Sequence, residues 1–210
     1  MYHIIKILVR IAFHIAFNFK VEGRENIPKD RTVIYASNHR TNADPPLIAC
    51  AARGKFAFMA KEELFKNKLF AWLIRSLGAF PVSRGKGDTG VHDTAIERLE
   101  NGRSLIIFPE GTRSKDGKVH RGHSGAAVIS ARSNKEIVPV GIVFGDKLRF
   151  RSKVTIKYGT PISPADHVMI SDNPDPRQLV KLKKRYMEEI TRLVEGEKES
   201  PEMPKEKENE

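Results

Sequence analysis

Two short runs of almost entirely apolar residues, 104–108 and 137–144, constrain the fold of this chain more than any other feature. Each run has the length of a β-strand, and neither alternates with polar residues, as is typical of strands covered on both faces. Residues 32–36 and 154–158 have the β-branched and apolar character of two more strands. Helical periodicities lie between these runs, at residues 46–53, 62–77, 90–101 and 122–133. The alternation predicts an α/β fold with a mostly buried central sheet flanked by helices.

The size, cysteine content and charge of the chain limit its class. Its 210 residues are enough for one domain with a buried core. The single cysteine, Cys50, cannot form an internal disulfide, which favours a location facing the cytosol. A net charge of +11 predicts an anionic partner, which is nucleic acid, anionic lipid or a phosphorylated substrate. Aromatic residues are not interleaved with the basic ones, so we expect no nucleic-acid partner.

The C-terminal segment differs in composition from the rest of the chain. Residues 195–210 hold seven Glu and three Lys, a local charge of −4 that leaves +15 on residues 1–194. Because this segment has almost nothing to bury, we predict a disordered acidic tail over residues 195–210. An amphipathic helix is predicted just before it, with apolar side chains at Leu179, Leu182, Tyr186, Met187, Ile190 and Leu193.

The N-terminal residues 1–20 are the most hydrophobic stretch of the chain. Lys6 and Arg10 interrupt the apolar run too early for a membrane-spanning helix, and no small-x-small cleavage site follows it. We predict an amphipathic helix over residues 1–20 that lies in a membrane interface, followed by an α/β domain over residues 21–194. A core helix with one solvated edge is the alternative. The basic edge expected to face the lipid headgroups is the polar stripe of His3, Lys6, Arg10, His14 and Asn18.

The first candidate functional segment follows the strand at 32–36 and contains His39 and Asp44. Histidine can accept or donate a proton near neutral pH. In a continuous helix, residues five positions apart face about 140° away from each other, but in a loop that folds back Asp44 can accept a hydrogen bond from one imidazole nitrogen. The other nitrogen then remains available as a base. Asp44 followed by Pro45 also matches a helix N-cap, and the two roles are compatible.

The second candidate segment, residues 108–114, reads Phe-Pro-Glu-Gly-Thr-Arg-Ser and continues the strand at 104–108. Gly111 allows the backbone to approach a ligand closely. Thr112 and Arg113 supply a hydroxyl and a planar cation with several donors. Such a set can bind a phosphate through charge-assisted hydrogen bonds. An ordinary polar turn with a solvated arginine is the alternative.

Two further segments carry weaker signals. Residues 78–87 bring Arg84 and Lys86 into a glycine-rich loop that suits an anion, although the spacing differs from that of a nucleotide P-loop. Residues 138–142 form a buried strand with a proline and a glycine, which indicates close approach of backbone or ligand.

In order and spacing, these four segments resemble the motifs of the lysophosphatidate acyltransferases, within the glycerophosphate-acyltransferase superfamily. Asn38, His39 and Asp44 match the motif Asn-His-x-x-x-x-Asp, and residues 108–114 match Phe-Pro-Glu-Gly-Thr-Arg-Ser in full. Thr41 stands where many members carry Ser, and it keeps the hydroxyl. The residues that match the other two motifs are Gly78, Phe80, Pro81 and Arg84, then Val138, Pro139, Val140 and Gly141.

The resemblance implies an acyltransferase that moves a fatty acyl group from a thioester, either acyl-CoA or acyl carrier protein, to the free hydroxyl of lysophosphatidate, giving phosphatidate in phospholipid biosynthesis. A thioester is already activated, so the hydroxyl can attack directly while His39 takes its proton and Asp44 orients His39. The resemblance implies neither a metal nor a redox cofactor. Asn38 is expected to support the loop or the developing oxyanion. The residues expected to bind the acceptor phosphate are Glu110, Gly111, Thr112, Arg113 and Arg84, with Lys61 as a further candidate cation.

Two alternatives remain open at the level of sequence. The acceptor could be another lysophospholipid or glycerol 3-phosphate, or the chain could be a non-enzymatic binder of anionic membranes. Because the implied acceptor carries an acyl tail, the expected location is the cell membrane, peripheral or monotopic on its cytoplasmic face. The anionic membrane surface is then a partner of the chain.

Overall fold

A computed structural model describes residues 2–82 and 89–196 of the chain. Within these residues, seven strands form one sheet in the order β1-β7-β6-β2-β5-β3-β4. The bounds of the strands are Asn18–Glu22 (β1), Ile34–Ser37 (β2), Lys55–Lys61 (β3), Ala79–Val82 (β4), Arg103–Ile107 (β5), Ile137–Val143 (β6) and Lys153–Tyr158 (β7).

The helices lie between and around these strands. The α-helices are Tyr2–Ala16 (α1), Asp44–Ala51 (α2), Lys68–Ser76 (α3), Thr89–Glu100 (α4), Gly125–Ser133 (α5) and Pro176–Glu195 (α6). Short 3-10 helices span Arg24–Asn26, Glu62–Phe65 and Pro164–Asp166. The helix predicted over residues 62–77 is divided in two because Asn67 caps α3, accepting a hydrogen bond from the backbone N–H of Phe70 at 3.0 Å.

The strand order brings the candidate segments to one edge of the sheet. β2 pairs in parallel with both β5 and β6, and β3 pairs in parallel with β5 and β4. β1 and β7 pair in parallel with each other at one edge of the sheet. Because β7 is antiparallel to β6, these two strands run opposite to the other five. The carboxyl ends of β2, β3, β5 and β6 therefore meet at the same edge, where ligands bind in sheets of this kind.

Both faces of the sheet are covered, which explains why the central strands carry apolar side chains on both faces. One face packs on α2 and the inner sides of α1 and α3, and the other packs on α4, α5 and α6. Along β2 the side chains alternate between these layers, with Tyr35 in the first and Ile34 and Ala36 in the second. The predicted α/β fold with a buried central sheet is confirmed.

Gly141 of β6 allows α6 to pack closely on the sheet. A Cβ added to Gly141 would lie 2.8 Å from the Cβ of Leu193 on α6. The close approach that the sequence indicates at residues 138–142 is thus an approach of a helix to the strand.

The N-terminal helix is shorter than predicted. α1 ends at Ala16, and residues 18–20, which were expected to be helical, belong to β1. The side chains of Phe19 and Val21 are partly buried while Asn18 and Lys20 are exposed, so this stretch has the period of a strand and pairs with β7. The boundary between the helix and the α/β domain therefore lies before residue 18.

The orientation of α1 also differs from the prediction at Lys6. The Lys6 ammonium donates to the carbonyls of Ala52 and Gly54 at 3.0 and 2.9 Å and lies 4.5 Å from the centre of the Phe56 ring. Lys6 therefore anchors the helix to the domain and does not face headgroups. The opposite side of the helix is an apolar stripe, each member between 52% and 64% exposed, which we call the α1 stripe: Ile4, Ile7, Leu8, Ile11 and Ile15.

Among residues 2–82 and 89–196, no helix is long and apolar enough to cross a membrane. At the other end of the chain, α6 continues through Glu195, so the first residue of the predicted tail is helical, and residues 197–210 lie outside the described part.

The docking of Lys6 predicts a pH dependence of stability. Burial lowers the pKa of Lys6 from its ordinary value of 10.5 to about 8. Since the folded value lies below the unfolded one, this group contributes stability that is present above pH 10.5 and is lost as the pH falls through about 8. We expect the free energy of unfolding of the wild type to rise relative to that of Lys6→Met between pH 7 and pH 9.5, as measured by urea denaturation. A difference that is independent of pH would contradict the buried position of Lys6.

Candidate active site

His39 and Asp44 form a hydrogen-bonded pair in the loop after β2. Nδ1 of His39 lies 2.8 Å from Oδ2 of Asp44, and the Asp44 side chain is fully buried while that of His39 is 16% exposed. The imidazole also stacks on Phe108, with ring centres 4.1 Å apart and planes 21° from parallel. An ionised carboxylate only accepts hydrogen bonds, so Nδ1 carries the proton and Nε2 is the basic nitrogen.

The Asp44 carboxylate is fixed by several donors of its own loop. Oδ2 accepts from the backbone N–H groups of Arg40 at 2.6 Å and Thr41 at 2.8 Å, and Oδ1 accepts from the Thr41 hydroxyl at 2.7 Å. Asp44 is the first residue of α2, whose N-cap position is Ala43, so the carboxylate turns back to the loop and does not cap its helix. This network holds the imidazole in one orientation.

The second candidate segment clamps the backbone of His39. Oε1 of Glu110 accepts from the His39 N–H at 3.0 Å, and the His39 carbonyl accepts from the Ser114 N–H at 2.7 Å. Oε2 of Glu110 accepts from the N–H of His120 at 3.0 Å. Burial raises the pKa of the Glu110 carboxyl above its ordinary value, although the two N–H donors act in the opposite direction.

These contacts change the role expected for Glu110. Its carboxylate is buried and both oxygens are occupied by backbone donors. A negative charge beside a phosphate would also be repulsive. Glu110 therefore positions His39, and the expectation that it binds phosphate does not fit the geometry.

Asn38 likewise acts on the protein backbone. Its side-chain amide donates to the carbonyl of Ile142 at 3.0 Å and accepts from the N–H of the same residue at 2.8 Å. Asn38 is 2% exposed, so it joins the loop to β6 and is not placed to contact a substrate or an oxyanion. Of the two roles that the sequence left open, support of the loop fits the structure.

The sequence interpretation missed Arg40. Its guanidinium donates to the carbonyls of Phe144 at 2.7 Å and Gly145 at 3.1 Å and lies 4.0 Å from the centre of the Phe144 ring. Arg40 therefore joins the loop after β2 to the loop after β6. Its position directly after His39 in the matched motif was the available signal.

A cleft of about 1250 Å³ opens beside His39. One group of lining residues is charged, with one carboxylate, Asp146, among the described lining residues, and five cations: Arg40, Lys61, Arg113, Lys115 and Lys147. The other group is apolar and comes from β3, α1, α2 and α3, including Phe13, Pro45, Phe58, Leu73 and Ile74. The cleft can therefore hold a molecule that has both an anionic group and a long apolar part.

The predicted binding residues divide between the cleft, its supports and the part not described. Thr112, Arg113 and Lys61 line the cleft. Gly111, at a φ of +68°, turns the chain there, and a Cβ would lie 3.3 Å from the His123 ring. Arg84 lies outside the described residues. Besides Arg40, sequence reasoning missed two cations of the cleft, Lys115 and Lys147, each of which comes just after a recognised segment or strand.

This arrangement can remove a proton from a bound hydroxyl. The base Nε2 belongs to an imidazole whose other nitrogen is held by a buried carboxylate. Such a pair acts as a general base and stabilises its own protonated form. Cations in the same cleft can hold a phosphate beside it.

Comparisons with known proteins show the family to which the chain belongs. Residues 18–143 match the model of the family described as Acyltransferase. A protein of Streptococcus pneumoniae named 1-acyl-sn-glycerol-3-phosphate acyltransferase is 36% identical over 173 residues, and the match covers 79% of this chain and 64% of that protein. A protein of Bacillus subtilis with the same name is 29% identical, and the match covers 79% of this chain and 84% of that protein.

A solved structure extends the likeness to the fold. The crystal structure of the 1-acyl-sn-glycerophosphate (LPA) acyltransferase PlsC from Thermotoga maritima superposes with a TM-score of 0.75 at 33% identity, covering 92% of this chain and 78% of that one. The chain spans slightly less than two thirds of the length of the Streptococcus pneumoniae relative. The family match nevertheless includes β1 to β6 and both loops around His39. The chain therefore belongs to the acyltransferase family.

Proposed function

We propose that this chain transfers a fatty acyl group from a thioester, acyl-CoA or acyl carrier protein, to the free hydroxyl of lysophosphatidate, giving phosphatidate in phospholipid biosynthesis. The observation that carries the proposal is the cleft itself, where an Asp44-held imidazole, a set of cations and an apolar wall line one volume. Lysophosphatidate has the matching parts, which are a hydroxyl, a phosphate and an acyl chain. The names of the relatives support the same acceptor.

Different lining residues bind the phosphate and the acyl chains. Arg113 and Thr112 bind the phosphate, assisted by the lysines of the cleft, because a planar guanidinium forms paired bonds to phosphate oxygens. Phe58 and the apolar side chains of α2 and α3 receive the acyl chains. Burial of the chains stabilises the complex by about 0.8 kcal/mol for each CH₂.

The chemical step needs no nucleophile from the enzyme. Nε2 of His39 takes the proton of the acceptor hydroxyl as the oxygen attacks the thioester carbonyl. The tetrahedral intermediate collapses by breaking the C–S bond, and the imidazolium returns the proton to the leaving thiolate. Asp44 stabilises the imidazolium between these transfers, and Glu110 keeps the backbone of His39 in place.

The proposed location is the membrane surface. The α1 stripe presents five isoleucine and leucine side chains to solvent, and the acceptor is a lipid. An apolar stripe on a short helix inserts among headgroups and the upper acyl chains without crossing the bilayer. We propose that the chain binds the cell membrane peripherally, on its cytoplasmic face.

The acceptor phosphate is tested at Arg113. We expect Arg113→Gln to raise the apparent KM for lysophosphatidate about tenfold with a smaller effect on kcat, because a charge-assisted bond to a bound phosphate is lost. Thiol release is measured in detergent micelles with lysophosphatidate, lysophosphatidylcholine and glycerol 3-phosphate as acceptors. Arg177→Gln, an exposed cation on α6, is the matched control and should leave KM unchanged. An unchanged KM in Arg113→Gln would favour an acceptor without a free phosphate.

A further inference from the structure

A second apolar surface lies on α3 and the turn before it. Its side chains are large and well exposed, with Leu69 at 77%, Trp72 at 51% and Phe70 at 44%. Leu64, on the preceding 3-10 helix, is 39% exposed. A cluster of this kind on a soluble surface marks an interaction site. We call these four residues the α3 patch.

Helix geometry separates this patch from the part of α3 that packs on the domain. Ala71 and Ile74 are the buried residues of α3. At about 100° per residue, Leu69 and Trp72 lie on the opposite side of the helix. Leu69 and Trp72 therefore do not contribute to packing inside the domain.

The α3 patch borders the cleft, and α1 lines the same cleft with the side of the helix that faces the domain, opposite the α1 stripe. Phe70 and Leu64 of the patch line it, and so do Val9 and Phe13 of α1. α1 and α3 therefore both contribute to the apolar wall of the cleft, and the exposed α3 patch is continuous with this wall through Leu64 and Phe70.

The charges around the patch favour an anionic bilayer over a second copy of the chain. Residues 61–76 carry four cations and two glutamates. Lys68 and Arg75 are exposed and lie on one side of α3, next to Trp72. In a symmetric dimer through this face, the same cations would meet their own copies, whereas anionic headgroups attract them. Tryptophan at the edge of an apolar surface is also typical of the interface between headgroups and acyl chains.

We propose that α3 is a second membrane-contact element, which together with α1 seats the mouth of the cleft on an anionic bilayer. The inference rests on the proposed function, since it takes the occupant of the cleft to be a lipid. The two helices form two lines of contact, so they fix the orientation of the domain as well as its attachment. The acceptor then moves from the bilayer into the cleft without exposing its acyl chain to water.

Trp72 is the only tryptophan of the chain, so its fluorescence reports on α3 directly. With the full-length protein, we expect a blue shift of the emission on vesicles that contain phosphatidylglycerol, and quenching when the phospholipids carry brominated acyl chains. Leu69→Asp should weaken partitioning into these vesicles about tenfold, because it removes a buried leucine and adds a negative charge. Val180→Asp is the matched control, since Val180 is 52% exposed on α6 and outside both surfaces.

Three results would overturn the inference. The first is sedimentation with vesicles without any change in Trp72 emission, which would leave α1 as the contact. The second is equal partitioning of Leu69→Asp and the wild type. The third is a concentration-dependent dimer that shields Trp72 in the absence of lipid, seen by analytical ultracentrifugation and emission together.

Activity measured in parallel separates this inference from the proposed function. With a short-chain, water-soluble lysophosphatidate, Leu69→Asp should retain the wild-type kcat, and its activity should fall only on vesicles. A wild type that inserts Trp72 but transfers no acyl group would contradict the proposed function and leave the membrane contact in place. A wild type that is active while Trp72 stays in water would contradict the membrane contact alone.

Discussion

Replacing His39 by glutamine is expected to lower kcat for acyl transfer by about 10²–10⁴, the usual contribution of a positioned general base. Glutamine is close to histidine in length and can still accept a hydrogen bond, but it cannot take a proton from the acceptor hydroxyl. Its backbone can keep the bonds to Glu110 and Ser114, so the loop should remain in place. Thiol release from the acyl donor, followed with a thiol reagent at saturating lysophosphatidate, measures the effect.

A matched control separates chemistry from folding in this experiment. His167→Gln changes a histidine that is not among the residues lining the cleft, so this variant should retain wild-type kcat. Urea denaturation of His39→Gln should give a free energy of unfolding within about 1 kcal/mol of the wild type, since glutamine is similar in size and its amide can still donate a hydrogen bond to Asp44. Wild-type turnover in a folded His39→Gln would remove His39 from its proposed role.

Asp44→Asn is expected to reduce kcat by about 10²–10⁴ and to destabilise the fold by about 1–3 kcal/mol. The carboxylate accepts four hydrogen bonds, from the His39 ring, two backbone N–H groups and the Thr41 hydroxyl. Asparagine presents one oxygen and one donor NH₂, so at least one donor of the loop is left facing another donor. The ring of His39 then loses the acceptor that keeps its proton on Nδ1 and leaves Nε2 as the basic nitrogen. Steady-state kinetics and urea denaturation measure the two effects.

The comparison with Thr41→Val isolates the part of this effect that concerns the loop. That change removes the single bond to Oδ1 and leaves the bond to His39. We expect a loss of activity much smaller than that of Asp44→Asn. The double variant of His39→Gln and Asp44→Asn should be little worse than His39→Gln alone, because residues that act as one unit are not additive. Equal and additive losses would show that Asp44 acts independently of His39.

The sequence predicts correctly those strands and helices whose pattern of apolar residues follows directly from which of their faces are buried. β6 is apolar throughout, and β5 is apolar from Leu105 to Ile107, because helices cover both faces of these strands, and this was visible as short apolar runs in the sequence. β3 was missed because its seven residues begin and end with exposed lysines and run straight into a 3-10 helix. β1 was included in the N-terminal helix because its phenylalanine continued the apolar composition of α1.

The candidate site shows a similar division. The pairing of His39 with Asp44 follows from local sequence, because five residues of loop are enough to bring the carboxylate back to the ring. The roles of Glu110 and Asn38 depend on backbone groups 71 and 104 positions away, and no local pattern contains them. The contacts of Lys6 with the loop after α2 were invisible for the same reason. Residue type thus indicated which chemistry was present, and the strand order decided which groups face the cleft.

We propose that this cleft joins an acyl group to the hydroxyl of lysophosphatidate. The most direct measurement follows thiol release and phosphatidate formation together, in one reaction of the purified chain with an acyl thioester, with and without lysophosphatidate. We expect one phosphatidate for each thiol released, and thiol release that depends on the acceptor. Thiol release at the same rate without lysophosphatidate, or without formation of phosphatidate, would contradict the proposed acyl transfer.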